Sequence, residues 1–496
     1  MSGHLTVGRW IRDRARTTPA RVAIDFQGAH VTYAELDAWS DRAAAQLAAA
    51  GVGRGDRVAS LTGNHPAHVA LLFACAKIGA ALEPLSFRLA PVEIRYQLDD
   101  AEPALLVVAD EHRALTDAAG GSVPRVGLGE LDRSGADPPS SEVEDDDALF
   151  LIYTSGTTGK PKGAVLTHAN TFWTSLSFDR TCPIGDRDVV LQVLPQYHIG
   201  GWNVQSLLAW WAGATVVLEP AFDPTRALRL IDERRVTTMM GVPATYLFLA
   251  EDPSFVRADL SSLRLAVVGG APMPESLLET WKERGVEIVQ GYGLTEAAPN
   301  VLCLPPEDAS RKRGFAGTPY PHVDVALRDL ETGAVLEGPA TGELLVRGPN
   351  VFPGYWRDPE ATAAAFADGW LLTGDIAERD SEGYYRIAGR LKDLVISGGE
   401  NVYPAEIEDV LHAHPAVAEA AVIGIPDERW GEVCVAYVAL RPGVEASPGE
   451  LVDWCGGRLA RFKVPRAVHF VDVLPRSGVG KVLKGELRAA WEGARR

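Results

Sequence analysis

Apolar runs of strand length and segments of helical periodicity alternate along the first third of the chain, a pattern that suits a layered α/β fold. Val22–Phe26 reads as a short strand turned at Gly28. Thr32-Tyr33-Ala34-Glu35 has the spacing of a capping box. Apolar residues then recur at Leu36, Trp39, Ala43 and Leu47 until Gly51 stops the helix. Arg57–Thr62 predicts a strand, His65–Ile78 a helix, and Ala80–Pro84 and Leu105–Val108 two more strands. After a loose acidic stretch, Pro138 to Asp147, comes the apolar strand Leu149–Tyr153.

Further α/β units run from Val189 to about Leu304, whereas Phe315 to Ile387 carries short alternating runs, such as Gly342–Arg347 and Gly383–Ile387, and should be mainly β. Beyond Gly389-Arg390 the pattern changes again. Helix Ala405–His412, strands Ala418–Ile423 and Val433–Leu440, helix Pro448–Ala460 and strand Val468–Val473 form a compact α+β unit. A chain of 496 residues exceeds the ~250–300 at which one core stops growing. We therefore expect a large multi-layer domain, 1–390, with a β-rich end, and a small domain, 391–496.

Acidic residues outnumber basic ones, 66 to 48, giving a formal charge of -18. Such a field repels phosphate backbones, which argues against a nucleic-acid partner. No stretch reaches the ~20 apolar residues of a membrane span; the greasiest, Ala67–Leu85, is interrupted by Lys77 and Glu83. Met1-Ser2-Gly3-His4 has no basic-then-apolar leader pattern, so the expected location is cytoplasmic. Five scattered cysteines without a Cys-x-x-Cys pair argue against a zinc or disulfide framework.

The densest chemical signal is Tyr153-Thr154-Ser155-Gly156-Thr157-Thr158-Gly159-Lys160-Pro161-Lys162-Gly163, at a strand end. Glycines let backbone N–H groups approach an anion, while hydroxyls and ammonium groups add donors and charge. It is not a Walker loop, because Thr154 and Pro161 stand where that pattern needs Gly and Ser or Thr. Gly291-Tyr292-Gly293-Leu294-Thr295-Glu296 also ends a strand, and a carboxylate there can hold Mg²⁺, a hard cation that prefers oxygen ligands. Trp370-Leu371-Leu372-Thr373-Gly374-Asp375 ends on a further carboxylate.

In this order the motifs resemble those of the acyl-adenylate-forming enzymes, which include acyl-CoA synthetases, firefly luciferase and peptide-synthetase adenylation domains. Within that family the sequence resembles bacterial fatty-acyl-CoA ligases, and the resemblance covers nearly the whole chain. It implies that Thr154, Ser155, Gly156, Thr157, Thr158, Gly159 and Lys160 form the phosphate loop. It further implies that Gly270, Ala271 and Pro272 give backbone contacts to adenine and that Gly291, Tyr292 and Gly293 flank it. Thr295 would contact phosphate, Glu296 would bind the metal, and Asp375 and Arg390 would reach the ribose.

Lys481, in Pro475-Arg476-Ser477-Gly478-Val479-Gly480-Lys481, is similar to the family's catalytic lysine. When a carboxylate attacks the α-phosphate two anions meet, and a placed ammonium stabilises the charge that builds up. Lys392 would be the hinge about which the small domain swings, presenting Ser397, Gly398 and Gly399 to a pantetheine tunnel.

Pro195-Gln196-Tyr197-His198-Ile199-Gly200-Gly201-Trp202 is similar to the segment that lines the acyl pocket, with His198 beside the substrate carboxylate. The expected wall adds Gly200, Gly201, Trp202, Gly270, Gly293, Ala297 and Ala298. These small walls leave room for an acid larger than acetate, and Trp202 limits the depth unless its side chain points away. No Arg or Lys lies in the wall segments to pair with a second carboxylate, and Arg264 stands too far back. The Trp210-Trp211 pair is expected to be packing.

The resemblance implies a carboxylate–CoA ligase using ATP, Mg²⁺ and CoA through an acyl-AMP intermediate. A medium- or long-chain fatty acid is the first expectation for the substrate, ahead of a cinnamate-, ferulate- or benzoate-like acid. An adenylating enzyme that loads a carrier protein is a further alternative, and an inactive nucleotide-binding homologue is the last.

Overall fold

The computed structural model describes residues 3–131, 142–155, 160–398, 400–476 and 482–494. Up to Arg390 the chain builds three sheets, and from Val395 onward a fourth. The first is nine-stranded, in the order Thr318–Pro319, Asn300–Cys303, Ile288–Gly293, Leu265–Val268, Thr238–Gly241, Val189–Gln192, Thr215–Leu218, Val22–Phe26 and Ala29–Thr32. From Ile288–Gly293 to Val22–Phe26 its neighbours pair in parallel. All their carboxyl ends therefore lie along one edge. The order turns at Val189–Gln192, whose sequence successors lie on opposite sides of it. Ligands of open α/β sheets bind outside the carboxyl ends at such a switch point.

The second sheet is seven-stranded and holds Ala148–Ser155 between Pro161–Thr167 and Ala81–Pro84. Ala148–Ser155 and Pro161–Thr167 pair antiparallel, so the phosphate-loop sequence spans a hairpin. The third sheet has six strands, antiparallel throughout, and pairs Trp370–Arg379 with Tyr385–Arg390. The C-terminal sheet is built on the long hairpin Val417–Asp427 and Gly431–Leu440. Among the described residues, no helix is long and apolar enough to cross a membrane.

Local chemistry explains most element ends. The Thr32 hydroxyl accepts from the Glu35 N–H while the Glu35 carboxylate accepts from the Thr32 N–H, closing the predicted capping box. The helix expected to reach Ala460 ends at Gly456, where two consecutive glycines weaken it. Strand Ala418–Ile423 proves longer, Val417–Asp427, because its hairpin partner continues the ladder. Gly383–Ile387 shifts to Tyr385–Arg390, since Asp380 and Tyr384 close the turn before it.

Helix Pro66–Ile78 is buried throughout and precedes the buried strand Ala81–Pro84. The two charges on this stretch meet different fates. The Lys77 ammonium donates to Asp37 at 2.5 Å, Ser40 at 2.6 Å and Asp41 at 2.7 Å. Neither Glu83 oxygen has a hydrogen-bond partner among the described residues, and burial pushes its carboxyl well above the ordinary 4.5. Trp210 and Trp211 are packing residues: Trp210 is fully buried, and Trp211 stacks on Trp10 at 4.8 Å. All five cysteines are free, buried thiols.

Candidate active site

Four loops leave neighbouring carboxyl ends of the nine-stranded sheet. They follow Val189–Gln192, Thr238–Gly241, Leu265–Val268 and Ile288–Gly293, and carry respectively His198, Val242, Gly269-Gly270 and Glu296. Topology thus brings together motifs that stand about a hundred residues apart.

The two carboxylates expected to meet the nucleotide are each tied to partners. Glu296, in the 3₁₀ turn Thr295–Ala297, accepts at Oε1 from the Tyr355 hydroxyl at 2.9 Å and the Thr154 hydroxyl at 3.3 Å. The start of the phosphate loop and the expected metal ligand are therefore in contact. Asp375 is nearly buried and accepts at Oδ2 from the Tyr292 hydroxyl at 2.6 Å. Its Oδ1 lies 3.0 Å from Arg390 Nε, the two residues being cross-strand partners. Burial, with the Asp375 carboxylate second, pushes the Tyr292 phenol well above its ordinary value. The phenol thus stays a neutral donor at any physiological pH.

Among the described residues no three His, Cys, Asp or Glu side chains form a metal-sized cluster. A carboxylate with a hydroxyl beside it is a donor set that fits Mg²⁺, which is commonly held by one or two carboxylates plus substrate phosphates and water. Glu296 is the carboxylate in place, with the Thr154 hydroxyl beside it.

Gly156, Thr157, Thr158, Gly159, Gly399 and Lys481 lie outside the described residues. Lys160 is exposed, and Lys162 Nζ sits 5.3 Å from the centre of the Tyr355 ring. Gly270, Ala271 and Pro272 are exposed in the turn after Leu265–Val268. Lys392 is exposed in the turn Leu391–Asp393, which Asp393 anchors to Arg488 of the last helix at 3.0 Å. Ser397 pairs with Gly431 in the C-terminal sheet, and Gly398, in the turn after it, donates its N–H to the Trp430 carbonyl at 2.8 Å.

His198, expected beside the substrate acid, lies in a loop held by amides. Asn64 accepts from the Gln196 N–H at 2.9 Å and donates to the Leu194 carbonyl at 3.0 Å, while Gln192 donates to the Gly201 carbonyl at 2.7 Å. The His198 ring rests against Tyr197, 5.1 Å between centroids, and Tyr197 meets the edge of Phe87 at 5.3 Å.

Several expected wall residues are packing instead. Trp202, Ala297 and Ala298 have no accessible surface, so they line no space a water can enter. The Trp202 indole N–H donates to the Gln196 carbonyl at 2.6 Å, which keeps the ring in the core and removes its expected role in limiting pocket depth. Gly293 and Gly201 are small because backbones cross there. A Cβ at 293 would stand 1.9 Å from the Pro299 carbonyl oxygen, and one at 201 would stand 2.5 Å from that of Pro195.

Gly200 and Gly270 have room beside them. Behind Gly269 and Gly270 stand Met240 and Val242, 3.2 and 3.5 Å from where the added carbons would be. Sequence reasoning missed these two, as it missed Tyr355; Met240 and Val242 carry no motif, and only the adjacency of strand Thr238–Gly241, which holds Met240 and leads into Val242, to Leu265–Val268 reveals them. Arg264 is spoken for, with Nη2 2.6 Å from Asp188 and 2.7 Å from the Pro183 carbonyl.

Comparison with known proteins identifies the family. Residues 11–356 match the AMP-binding enzyme family and residues 406–481 its C-terminal domain. A feruloyl-CoA synthase from an Amycolatopsis species is 44% identical over 483 residues, covering 97% of this chain and 98% of that protein. The long-chain-fatty-acid–CoA ligase FadD13 of Mycobacterium tuberculosis is 41% identical over 498 residues, with 98% of each chain covered. The structure of ATP-bound MatB from Rhodopseudomonas palustris superposes with a TM-score of 0.92 at 35% identity, over 100% of both chains.

Proposed function

This chain belongs to the AMP-binding enzyme family and is an AMP-forming carboxylate–CoA ligase, and from that premise we propose how its site works and which acid it takes. The observation that carries the reading is the pair of tethered carboxylates: Asp375, joined to Tyr292 and Arg390, and Glu296, joined to Thr154.

ATP binds with its ribose hydroxyls on Asp375 and its phosphates under the 154–160 loop. Glu296 holds Mg²⁺, which when bound offsets phosphate charge. The substrate carboxylate, oriented beside His198, attacks the α-phosphorus; the bond to pyrophosphate breaks and acyl-AMP forms. Lys481 supplies the positive charge for that step. The small domain, 391–496, then turns at Lys392, bringing Ser397, Gly398 and Gly399 toward the adenylate. The CoA thiol attacks the acyl carbon, AMP leaves, and the thiol proton passes to solvent.

The acid is an apolar monocarboxylate. Met240 and Val242 supply apolar walls, and Arg264 is committed to Asp188 rather than to a second carboxylate. A medium- or long-chain fatty acid is the first reading. A cinnamate-like aromatic acid is the second, supported by the identity to the feruloyl-CoA synthase.

The test is mass-spectrometric detection of products from MgATP, CoA and a panel running from acetate through long-chain fatty acids to cinnamates and benzoates. Acyl-CoA from one class names the acid. Acyl-AMP without acyl-CoA would overturn CoA as the acceptor and point to a carrier protein. No adenylate with any acid would overturn the reading of the site.

A further inference from the structure

The segment before and including Tyr355 grips the turn that carries Glu296 at four points. The Phe352 N–H donates to the Glu296 carbonyl at 2.8 Å. The fully buried Asn350 donates through Nδ2 to the carbonyls of Ala297 and Asn300, both at 2.9 Å. The Tyr355 hydroxyl donates to Glu296 Oε1 at 2.9 Å. The segment is itself fixed, since Asn170 donates to the carbonyls of Pro349 and Val351. Gly354–Tyr355 also forms an edge strand on Pro161–Thr167, the strand leaving the phosphate loop. The Tyr355 ring is packed by the edge of Phe352 at 4.9 Å and faces the Lys162 ammonium.

We infer that Tyr355 is a positioning residue for the metal-binding carboxylate: its hydroxyl fixes Oε1 of Glu296 and thereby presents Oε2 to the cation. This rests on the assignment of Glu296 given above. Oε1 is occupied by two hydroxyl donors, and Oε2 has no hydrogen-bond partner among the described residues. Mg²⁺ tolerates little departure from octahedral geometry, so a carboxylate free to rotate binds it less well. Outer partners of metal ligands typically contribute about 10–100-fold in metal affinity. The same tyrosine joins the two sheets, because its backbone belongs to the phosphate-loop sheet and its hydroxyl reaches the Glu296 turn.

The test compares Tyr355→Phe and Glu296→Gln with the unaltered protein. ATP binding is titrated calorimetrically across a range of free Mg²⁺ and again in excess EDTA, with thermal unfolding measured on each protein. Phenylalanine keeps the ring packing and removes only the hydroxyl. The expected result for Tyr355→Phe is a rise of about tenfold or more in the Mg²⁺ needed for half-maximal tightening of ATP binding. Its affinity in EDTA and its unfolding midpoint should be unchanged.

An unchanged Mg²⁺ requirement in Tyr355→Phe, with Glu296→Gln clearly altered, overturns the inference alone. So does an equal loss with and without Mg²⁺, which would mark a packing role. If Glu296→Gln leaves the Mg²⁺ requirement untouched, the assignment of Glu296 fails and this inference falls with it.

Discussion

The proposed nucleotide side and the proposed acid side of the site are held in opposite ways. On the nucleotide side each carboxylate has named partners: Asp375 has Tyr292 and Arg390, and Glu296 has Thr154 and Tyr355. On the acid side the positions are held by backbone loops and buried amides, and the proposed walls are Gly200, Gly270, Met240 and Val242. Charged hydrogen-bond geometry specifies a constant ligand, whereas apolar volume specifies only size. Substitutions on the first side should therefore lower activity toward every acid alike, and those on the second should reorder the acids.

The sharpest blow to that contrast would come from Lys481→Ala. Adenylation is expected to fall by about 10²–10³ for all acids, as when one transition-state donor is lost. Pyrophosphate release measured across the acid panel checks it, and an acid-dependent loss would break the comparison.

Asp375→Asn comes next, leaving Arg390 without its carboxylate. Hydrogen bonds to charged groups are worth about 1.5–3 kcal/mol, so ATP affinity should drop about ten- to hundredfold, with the ranking of acids preserved. Equilibrium binding of ATP, followed by kcat/KM ratios between acids, measures both.

Met240→Ala should do the reverse. It widens the space behind Gly269 and should change the kcat/KM ratio between bulky and slim acids by about tenfold, at constant KM for ATP. A uniform loss would place Met240 in the core rather than in the wall.

The smallest effect concerns stability. Glu83 lies on the strand beside the phosphate-loop strand, and burial raises its carboxyl well above 4.5. The unfolded chain releases this proton first as pH rises, so the associated stability is whole below about 4.5 and is lost as pH rises through the folded value. Glu83→Gln, which stays neutral, should match the unaltered protein near pH 4 and unfold at a higher temperature at pH 8. A melting difference that does not grow with pH would contradict this account.

Much of this protein was legible along the chain. The α/β alternation, the capping box at Thr32 and the run of motifs from Thr154 to Arg390 are local patterns, and local patterns follow from periodicity and spacing. The sequence also pointed to Asp375, Arg390 and Glu296 by residue type and by resemblance. It misjudged the acid wall: Trp202, Ala297 and Ala298 proved to be packing, and Gly201 and Gly293 proved to be backbone crossings.

The composition of a motif tells which groups are available, and its place on a strand end tells roughly where they emerge. Which side of a glycine faces solvent, and which oxygen of Glu296 is already engaged, depends on strands that meet only when the sheets assemble. Thr154 and Glu296 are 142 residues apart, Tyr355 and Glu296 are 59 apart, and Met240 reaches Gly269 across two parallel strands. Spacing in sequence carries no information about such neighbours; pairing order and register create them.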